Sequence, residues 1–511
     1  MAESSVARGS FTFGVTTLSS RLLGMVRDIV VAGTFGAGVA ADAFYVAFRF
    51  ANLFRAFFAE GAFTQAFVPN LARVVERDPS HERLFVGNML LVLGASLLVL
   101  VVALELGADL VAGWYAIGYK DKPHQLALVT DLLRITLPYA LLISLAALLN
   151  GVLQSHQRFF ISGFSPVVLN LCLIAAALFA GHFFAVPVYA LGWATLLAGG
   201  MQLLMPLAQL AHLRKLPSLW HKGFHPAVKR TLLMFGPVVL GASVTQIALL
   251  IDTLLATFLE TGSVTWLYLA NRLIGFPLGI FGISIAVVIL PALSRARAGE
   301  DATGATRLFG WAAHSICLIA IPASCALMLV PEPIVVTLFH YGAFSLSDAH
   351  NAAAALRMYA LGLTGMMLMK ILVNQFLAVG DAKTPLRVAM LTTCLGVAMS
   401  LILMQFIQHR GIALSTGLAS LANAALLYLL AFRRGLIGWY RGIWRAALRI
   451  SIASLVMSGL CLLLFDETAL WADYALAERA LRLVGYIALA VGGYAVSLLV
   501  LGWRPSQLRS P

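Results

Sequence analysis

Fourteen stretches of this chain are each about as long and as apolar as a bilayer-spanning helix must be, and no other feature restricts its fold as strongly. They lie near 11–34, 42–68, 85–108, 126–152, 161–182, 187–211, 231–259, 264–293, 308–330, 350–378, 386–408, 411–432, 446–465 and 480–502. Inside a bilayer each backbone N–H and C=O must be satisfied within the segment, so such runs fold as helices. The expected fold class is an all-α polytopic membrane protein with 14 transmembrane helices. Pro138, Pro166, Pro237 and Pro277 fall inside these stretches, which is tolerated where neighbouring helices satisfy the freed backbone groups. MAESSVARGS, followed by an apolar segment holding Arg21, does not have the form of a cleavable signal peptide, so the first stretch is expected to stay in the membrane.

Composition agrees. The chain is 61% apolar and 11% charged, where a soluble domain runs about 45–50% and about 25%; a water-soluble enzyme and a disordered chain are both excluded. Cys172, Cys317, Cys325, Cys394 and Cys461 are scattered through apolar stretches without CxxC or metal-ligand spacing, and read as small buried hydrophobes.

The charges carry more information. Lys and Arg number 35 against 22 acids, a net +13. With a cytoplasmic N-terminus, 22 of the cations fall in cytoplasmic segments and five (Lys120, Lys122, Arg410, Arg479, Arg482) on the other side. That is the asymmetry the positive-inside rule demands, and one missed helix would scramble it. Both termini are thus expected in the cytoplasm, and the basic balance calls for no nucleic acid.

FGAGVAADAFYVAFRFANLF, from Phe35, is echoed by FLETGSVTWLYLANRLIGFP, from Phe258. Tyr45, Ala47 and Arg49 match Tyr268, Ala270 and Arg272 at an offset of 223; Pro69, Leu71 and Arg73 match Pro291, Leu293 and Arg295 at 222. Arg134 likewise aligns with Arg357, and Asn150 with Asn374. A unit of six helices returns the chain to its starting side, so the copies have parallel topology. The expected architecture is two six-helix lobes around a central cavity, 1–222 (spans 1–6) and 223–440 (spans 7–12), plus a C-terminal pair in 441–511.

Eight cations remain inside spans: Arg21, Arg27, Arg49, Arg55, Arg134, Arg272, Arg357 and Lys370. Unpaired near helix centres they would cost about 20–28 kcal/mol together. Arg134 and Arg357 lie close enough to span ends to snorkel, and the long stem of Lys370 leaves that route open as well. Arg21, Arg27, Arg55 and Arg272 lie deeper. The anions available are Asp28, Asp42, Glu60, Glu105, Asp131 and Asp252. On a straight helix Asp42, Arg49 and Glu60 share one stripe to within about 20°, while Arg55 falls about 140° away and needs a kink or another neighbour. Gly275 and Gly279 share the stripe of Arg272; small residues there leave room for a ligand or else mark close helix packing. Seven of the eight buried cations are Arg, whose planar fork matches phosphate oxygens. A large anionic substrate such as a phosphate ester is the expected cargo.

The stretch SRLLGMVRDIVVAGTFGAGVAADAFYVAFRFANLFRAFFAEGAFTQAFVPNLAR, residues 20–73, resembles the opening signature of the MurJ/MviN lipid II flippases of the multidrug/oligosaccharidyl-lipid/polysaccharide exporter superfamily. SVTWLYLANRLIGFPLGIFGISIAVVILPALSR, 263–295, resembles the second-lobe signature, and the likeness runs over essentially the whole chain. The resemblance implies a flippase of the cytoplasmic (inner) membrane. Its cargo would be undecaprenyl-pyrophosphate-linked disaccharide-pentapeptide, moved from inner to outer leaflet for peptidoglycan synthesis. A cationic cavity would take the headgroup, and spans 13–14 a groove for the lipid tail. The substrate-binding residues it implies are Arg21, Arg27, Asp42, Arg49, Arg55 and Arg272, with Asp28, Asn52, Glu60 and Asp252 in support. Two positions depart from the pattern: Gly275 stands where some relatives carry an acid, and span 11 (TTCLGVAMSLILMQFIQ) has no acid to join Asp252 in binding a cation.

The expected mechanism is alternating access without a cofactor or covalent chemistry. The energy source, a coupling ion or the membrane potential, is left open. Expected partners are the lipid-linked anionic glycan and membrane lipids, with cell-wall synthesis enzymes as candidates. Alternatives are an exporter of another polyprenyl-linked glycan, of O-antigen type, and a drug/cation antiporter of the same superfamily; the arginine-rich spans speak against the antiporter. A peptidoglycan polymerase is disfavoured because the loops are short and carry no Walker, HExxH, GxSxG or DxD-type constellation.

Overall fold

A computed structural model describes residues 2–58, 62–218, 223–438, 442–464 and 471–504. Among the described residues every regular element is helical. The chain divides into two compact units, Met1–Val264 and Thr265–Pro511.

The first unit contains α1 (Ala2–Phe35), α2 (Val39–Phe58), α3 (Ala62–Arg77), α4 (Glu82–Leu106), α5 (Ala108–Tyr115), α6 (Pro123–Ser155), α7 (Phe160–Phe183), α8 (Tyr189–His212) and α9 (Ala227–Thr257). α10 (Ser263–Pro277) starts at the boundary and opens the second unit. There follow α11 (Ile283–Ala298), α12 (Ala302–Leu329), α13 (Pro331–Phe339), α14 (Leu346–Leu377), α15 (Lys383–Ile407), α16 (His409–Arg433), α17 (Gly442–Leu464) and α18 (Leu476–Val500).

Eleven of the helical segments among the described residues are long and apolar enough to cross a membrane, and Ser243–Thr257 is a shorter apolar helix. The expected spans at 11–34, 42–68 and 231–259 fall on α1, on α2 with α3, and on α9. Large apolar side chains such as Phe183, Phe406, Leu463 and Val500 are almost fully exposed. In water such a surface would aggregate; in lipid it is the solvent-facing side. The interior proline Pro138 sits within an unbroken α6, whereas Pro277 is followed by a π-helical turn, Leu278–Gly282, before α11 resumes. A proline lacks the N–H that an α-helical register needs, and a π turn absorbs the mismatch.

Helix starts recur along the chain at a nearly constant interval. α5 and α13, α6 and α14, and α7 and α15 each begin 223 residues apart (Ala108 and Pro331, Pro123 and Leu346, Phe160 and Lys383). The short helices α5 and α13 belong to the repeat, although neither is long enough to register as a span. By this spacing α9 is the second copy of α1, yet it falls in the first compact unit because it packs on α2, α3 and α4.

The segment after α8 is tied to the start of α4, and the segment after α16 to the end of α11 and the start of α12. In the first, Arg83 Nε donates to the Leu216 carbonyl at 3.0 Å, the Ser218 N–H donates to the Arg83 carbonyl at 3.1 Å, and Asn88 Nδ2 donates to the Gly223 carbonyl at 3.2 Å. Buried Glu82 adds an ion pair to Lys215 at 3.1 Å and a hydrogen bond to His156 at the end of α6. In the second, the Gly438 N–H donates to Thr306 Oγ1 at 3.3 Å and Arg297 donates to the Leu436 carbonyl. Thr306 and Gly438 stand 223 and 222 residues after Arg83 and Leu216.

Candidate functional site

Four of the expected binding residues of the first unit are drawn into hydrogen bonds that fix where their charges point. Arg27, on α1, is only 7% exposed. Its Nε and Nη2 lie 2.9 and 2.5 Å from Asp28 Oδ1, and its Nη1 lies 3.1 Å from Asn170 Oδ1 on α7. The guanidinium also sits 5.9 Å from the centre of the Phe48 ring on α2, within cation–π range. Adjacent side chains on a helix point about 100° apart, so the neighbouring Asp28 reaches Arg27 only because the long arginine stem bends back. Arg21, two turns earlier on α1, is half-buried.

On α2, Asp42 and Arg49 share a face as the 3.6-residue period requires, and both meet the region of α9. Asp42 is almost fully buried and its Oδ2 accepts from the Gly262 N–H at 2.7 Å, in the turn between α9 and α10. Gly262 has φ +103°, a conformation that side-chain-bearing residues seldom adopt. Arg49 Nη1 donates to Thr253 Oγ1 at 2.6 Å and to the Leu249 carbonyl at 3.3 Å, both on α9. Arg55 lies off that stripe and finds a different neighbour instead of a kink: its Nε donates to Asn52 Oδ1 at 2.5 Å, one turn back on the same helix. Glu60, expected on the stripe of Asp42 and Arg49, lies outside the described residues, as do 59 and 61.

Arg272 belongs to the second unit and is half-buried on α10, five residues before Pro277 and the π turn. A Cβ added at Gly275 would meet nothing within 4 Å. Of the two readings left open for that glycine, open space holds and close helix packing does not. Close packing occurs instead between α14 and α16, where a Cβ at Gly362 would come within 2.3 Å of Gly417 Cα. Asp252 is half-buried on α9 beside Thr253, the acceptor for Arg49. No group of three or more His, Cys, Asp or Glu able to hold a metal ion occurs among the described residues.

Two residues of this constellation, Asn170 and Thr253, were not expected from sequence. Asn170 is the sole amide in the apolar run 161–182, and that isolation was a usable signal, since a buried amide in lipid needs partners. Thr253 gave none: a threonine in a span commonly satisfies itself on the carbonyl four residues back, as Thr253 also does on Leu249 at 2.8 Å.

The arrangement is a set of guanidinium groups within apolar helices, oriented by acceptors that include the Asp28 carboxylate and the neutral oxygens of Asn170, Thr253 and Asn52. Oriented guanidinium groups can donate bidentate hydrogen bonds to a planar or tetrahedral oxyanion. The family model described as lipid II flippase MurJ matches residues 31–481. A probable lipid II flippase MurJ of Vibrio cholerae is 36% identical over 97% of this chain and 96% of its own length, and the lipid II flippase MurJ of Burkholderia cenocepacia is 35% identical over 98% of each. A solved lipid II flippase MurJ in an inward closed conformation shares the fold with a TM-score of 0.79 at 22% identity, covering 95% of this chain and 97% of that one. An inward-facing multidrug resistance MATE transporter of the MOP superfamily shares it more distantly, with a TM-score of 0.66 at 16% identity over 82% of this chain and 98% of its own. A family match across most of the chain, with relatives above one-third identity over nearly its full length, leads to one conclusion: this multi-pass membrane protein belongs to the lipid II flippase MurJ family.

Proposed function

We propose that this chain moves lipid II, the undecaprenyl-pyrophosphate-linked peptidoglycan precursor, from the inner to the outer leaflet of the cytoplasmic membrane by alternating access. Arg27, Arg49 and Arg55, with Arg21 and Asp42, form the first unit's pyrophosphate-binding set, and Arg272 is the anion-binding residue of the second. The observation that carries the reading is Arg27, a buried guanidinium aimed by Asp28 and Asn170. Such preorganisation suits a pyrophosphate, and it would be a costly feature in a helix with only packing to do.

Both termini are cytoplasmic in this reading, and the prenyl chain stays in lipid while the headgroup crosses. No covalent step is involved. A membrane potential biases any charge that moves with the site by about 2.3 kcal/mol per 100 mV. Asp252 is not assigned an ion-coupling role, because α15 offers it no acidic partner.

The test is depletion of the protein followed by measurement of lipid II accessible at the outer leaflet. Accessibility falls if the reading is right; unchanged accessibility would transfer the chain to export of another polyprenyl-linked glycan. Arg27→Ala and Arg272→Ala are each expected to abolish rescue of the depleted strain at normal membrane levels.

A further inference from the structure

Arg49 fastens two helices with the same group that the proposed function assigns to the headgroup. One guanidinium nitrogen, Nη1, makes both bonds to α9, at 2.6 Å to Thr253 Oγ1 and 3.3 Å to the Leu249 carbonyl. The second is weak for an identifiable reason. Leu249 O already takes the Thr253 hydroxyl at 2.8 Å, and its place in the helix commits it to a backbone N–H as well. Of these two bonds the one to the neutral Thr253 hydroxyl is therefore the stronger, and Arg49 itself is only half-buried.

The same helix is held at two further levels. Toward its start, Phe235 packs on Phe58 with ring centres 5.2 Å apart, and Asn70 Nδ2 lies 3.3 Å from Met234 Sδ. Toward its end, the Gly118 N–H donates to Thr257 Oγ1 at 3.1 Å and the Gly262 N–H to Asp42. These contacts are apolar or use neutral N–H donors, for which an oxyanion competes less strongly than for a cation. At Arg49 the donor is a cation. A guanidinium–phosphate bond carries charge on both partners and can be bidentate, neither of which holds for the bond to the Thr253 hydroxyl.

We propose that Arg49 is a substrate-released clasp between α2 and α9, with Thr253 the acceptor that competes with the pyrophosphate for its Nη1. Headgroup binding draws Arg49 off Thr253 and unfastens α9 at its middle level while the two outer levels hold. The Thr253 hydroxyl keeps its own bond to Leu249, so no buried polar group is orphaned by the exchange. By linkage, the clasp weakens headgroup binding by as much as binding weakens the clasp. This inference rests on the assignment of Arg49 to the pyrophosphate.

The competition has a signature that a packing role lacks: removing the acceptor tightens binding. Thr253→Val keeps the volume and the branching and removes the hydroxyl; Thr253→Ser keeps the hydroxyl. Lipid II binding to the full-length, detergent-purified protein is measured for the wild type, both variants and Arg49→Gln, each first shown to be monodisperse. Thr253→Val is expected to bind about tenfold tighter, the size of one hydrogen bond to a charged group; Thr253→Ser should match the wild type and Arg49→Gln should bind more weakly. Equal or weaker binding by Thr253→Val, with Arg49→Gln still impaired, overturns the clasp and leaves the assignment of Arg49 standing. Wild-type affinity in Arg49→Gln overturns both.

Discussion

Arg27 and Asn170 lie 143 positions apart in sequence and 3.1 Å apart in space, guanidinium nitrogen to amide oxygen. Asn170 also turns its Nδ2 to the Ser20 carbonyl at 3.1 Å, so α7 holds both the side chain and the backbone of α1. Replacing Asn170 with Leu removes both bonds and leaves a cationic donor short of an acceptor. The expected cost is about 1–3 kcal/mol of stability, with weakened rescue of a flippase-depleted strain. Thermal unfolding of the purified variant and a growth assay measure the two effects; wild-type melting together with wild-type growth would show that Asn170 is a bystander.

Gly362 and Gly275 should respond oppositely to the same change. A Cβ at Gly362 falls 2.3 Å from Gly417 Cα, a backbone atom that cannot swing aside, while one at Gly275 meets open space. Gly362→Ala is expected to lower stability by about 1–3 kcal/mol through overpacking of α14 on α16. Gly275→Ala should leave the melting temperature unchanged or slightly raised, since alanine favours the helix. Equal melting shifts for the two would contradict the helix–helix geometry described here.

The tie at the start of α4 leaves Gly87 no room for a side chain, because a Cβ there would lie 1.9 Å from the Ser218 carbonyl oxygen. Gly87→Ala must push the 213–218 segment off α4. Limited proteolysis of membrane vesicles should then cut within 213–223 several times faster than in the wild type. Arg83→Ala, which loses one hydrogen bond without a clash, should show a smaller increase of the same kind.

Asp381 gives a defined pH dependence at the α14–α15 connection. Its carboxylate accepts from the Thr384 hydroxyl at 2.6 Å, from the Thr384 and Lys383 N–H groups at 3.0 Å each, and from Arg434 at 2.7 Å. These bonds, the Thr384 hydroxyl foremost, bring its pKa down from 3.8 to about 2. A lowered folded-state pKa means stabilisation that is complete above the unfolded value and lost as pH falls through the folded one. The melting advantage of the wild type over Asp381→Asn is therefore expected to be constant above about pH 5 and to shrink between about 4 and about 2. An advantage that does not change with pH over that range would assign the contribution to something other than the carboxylate.

Much of this fold is legible in the sequence because lipid imposes a simple condition: an apolar run of sufficient length has one way to satisfy its backbone. Hence the expected stretches fall on helices where their residues are described, and the Tyr45–Tyr268 offset of 223 reappears in the starts of α5 to α7 against α13 to α15. What composition does not encode is which helix a given side chain meets. The period of α2 put Asp42 and Arg49 on one face, but nothing in it pointed to Gly262 or Thr253 as their partners. Arg55 was seen to lie off that face, whereas its partner Asn52 depends on a rotamer, not on a period. The unit boundary likewise follows from packing: α9 repeats α1 in sequence yet lies against α2, α3 and α4.

The paired ties at Arg83–Leu216 and Thr306–Gly438 have a consequence for how the two copies are joined. The connection into α9 is anchored to helix α4, whose start lies more than 130 residues earlier, at Leu216 and Ser218 and again at Gly223. Lengthening 213–223 with a flexible insert should therefore uncouple α9 from the first copy, even though every helix would still form.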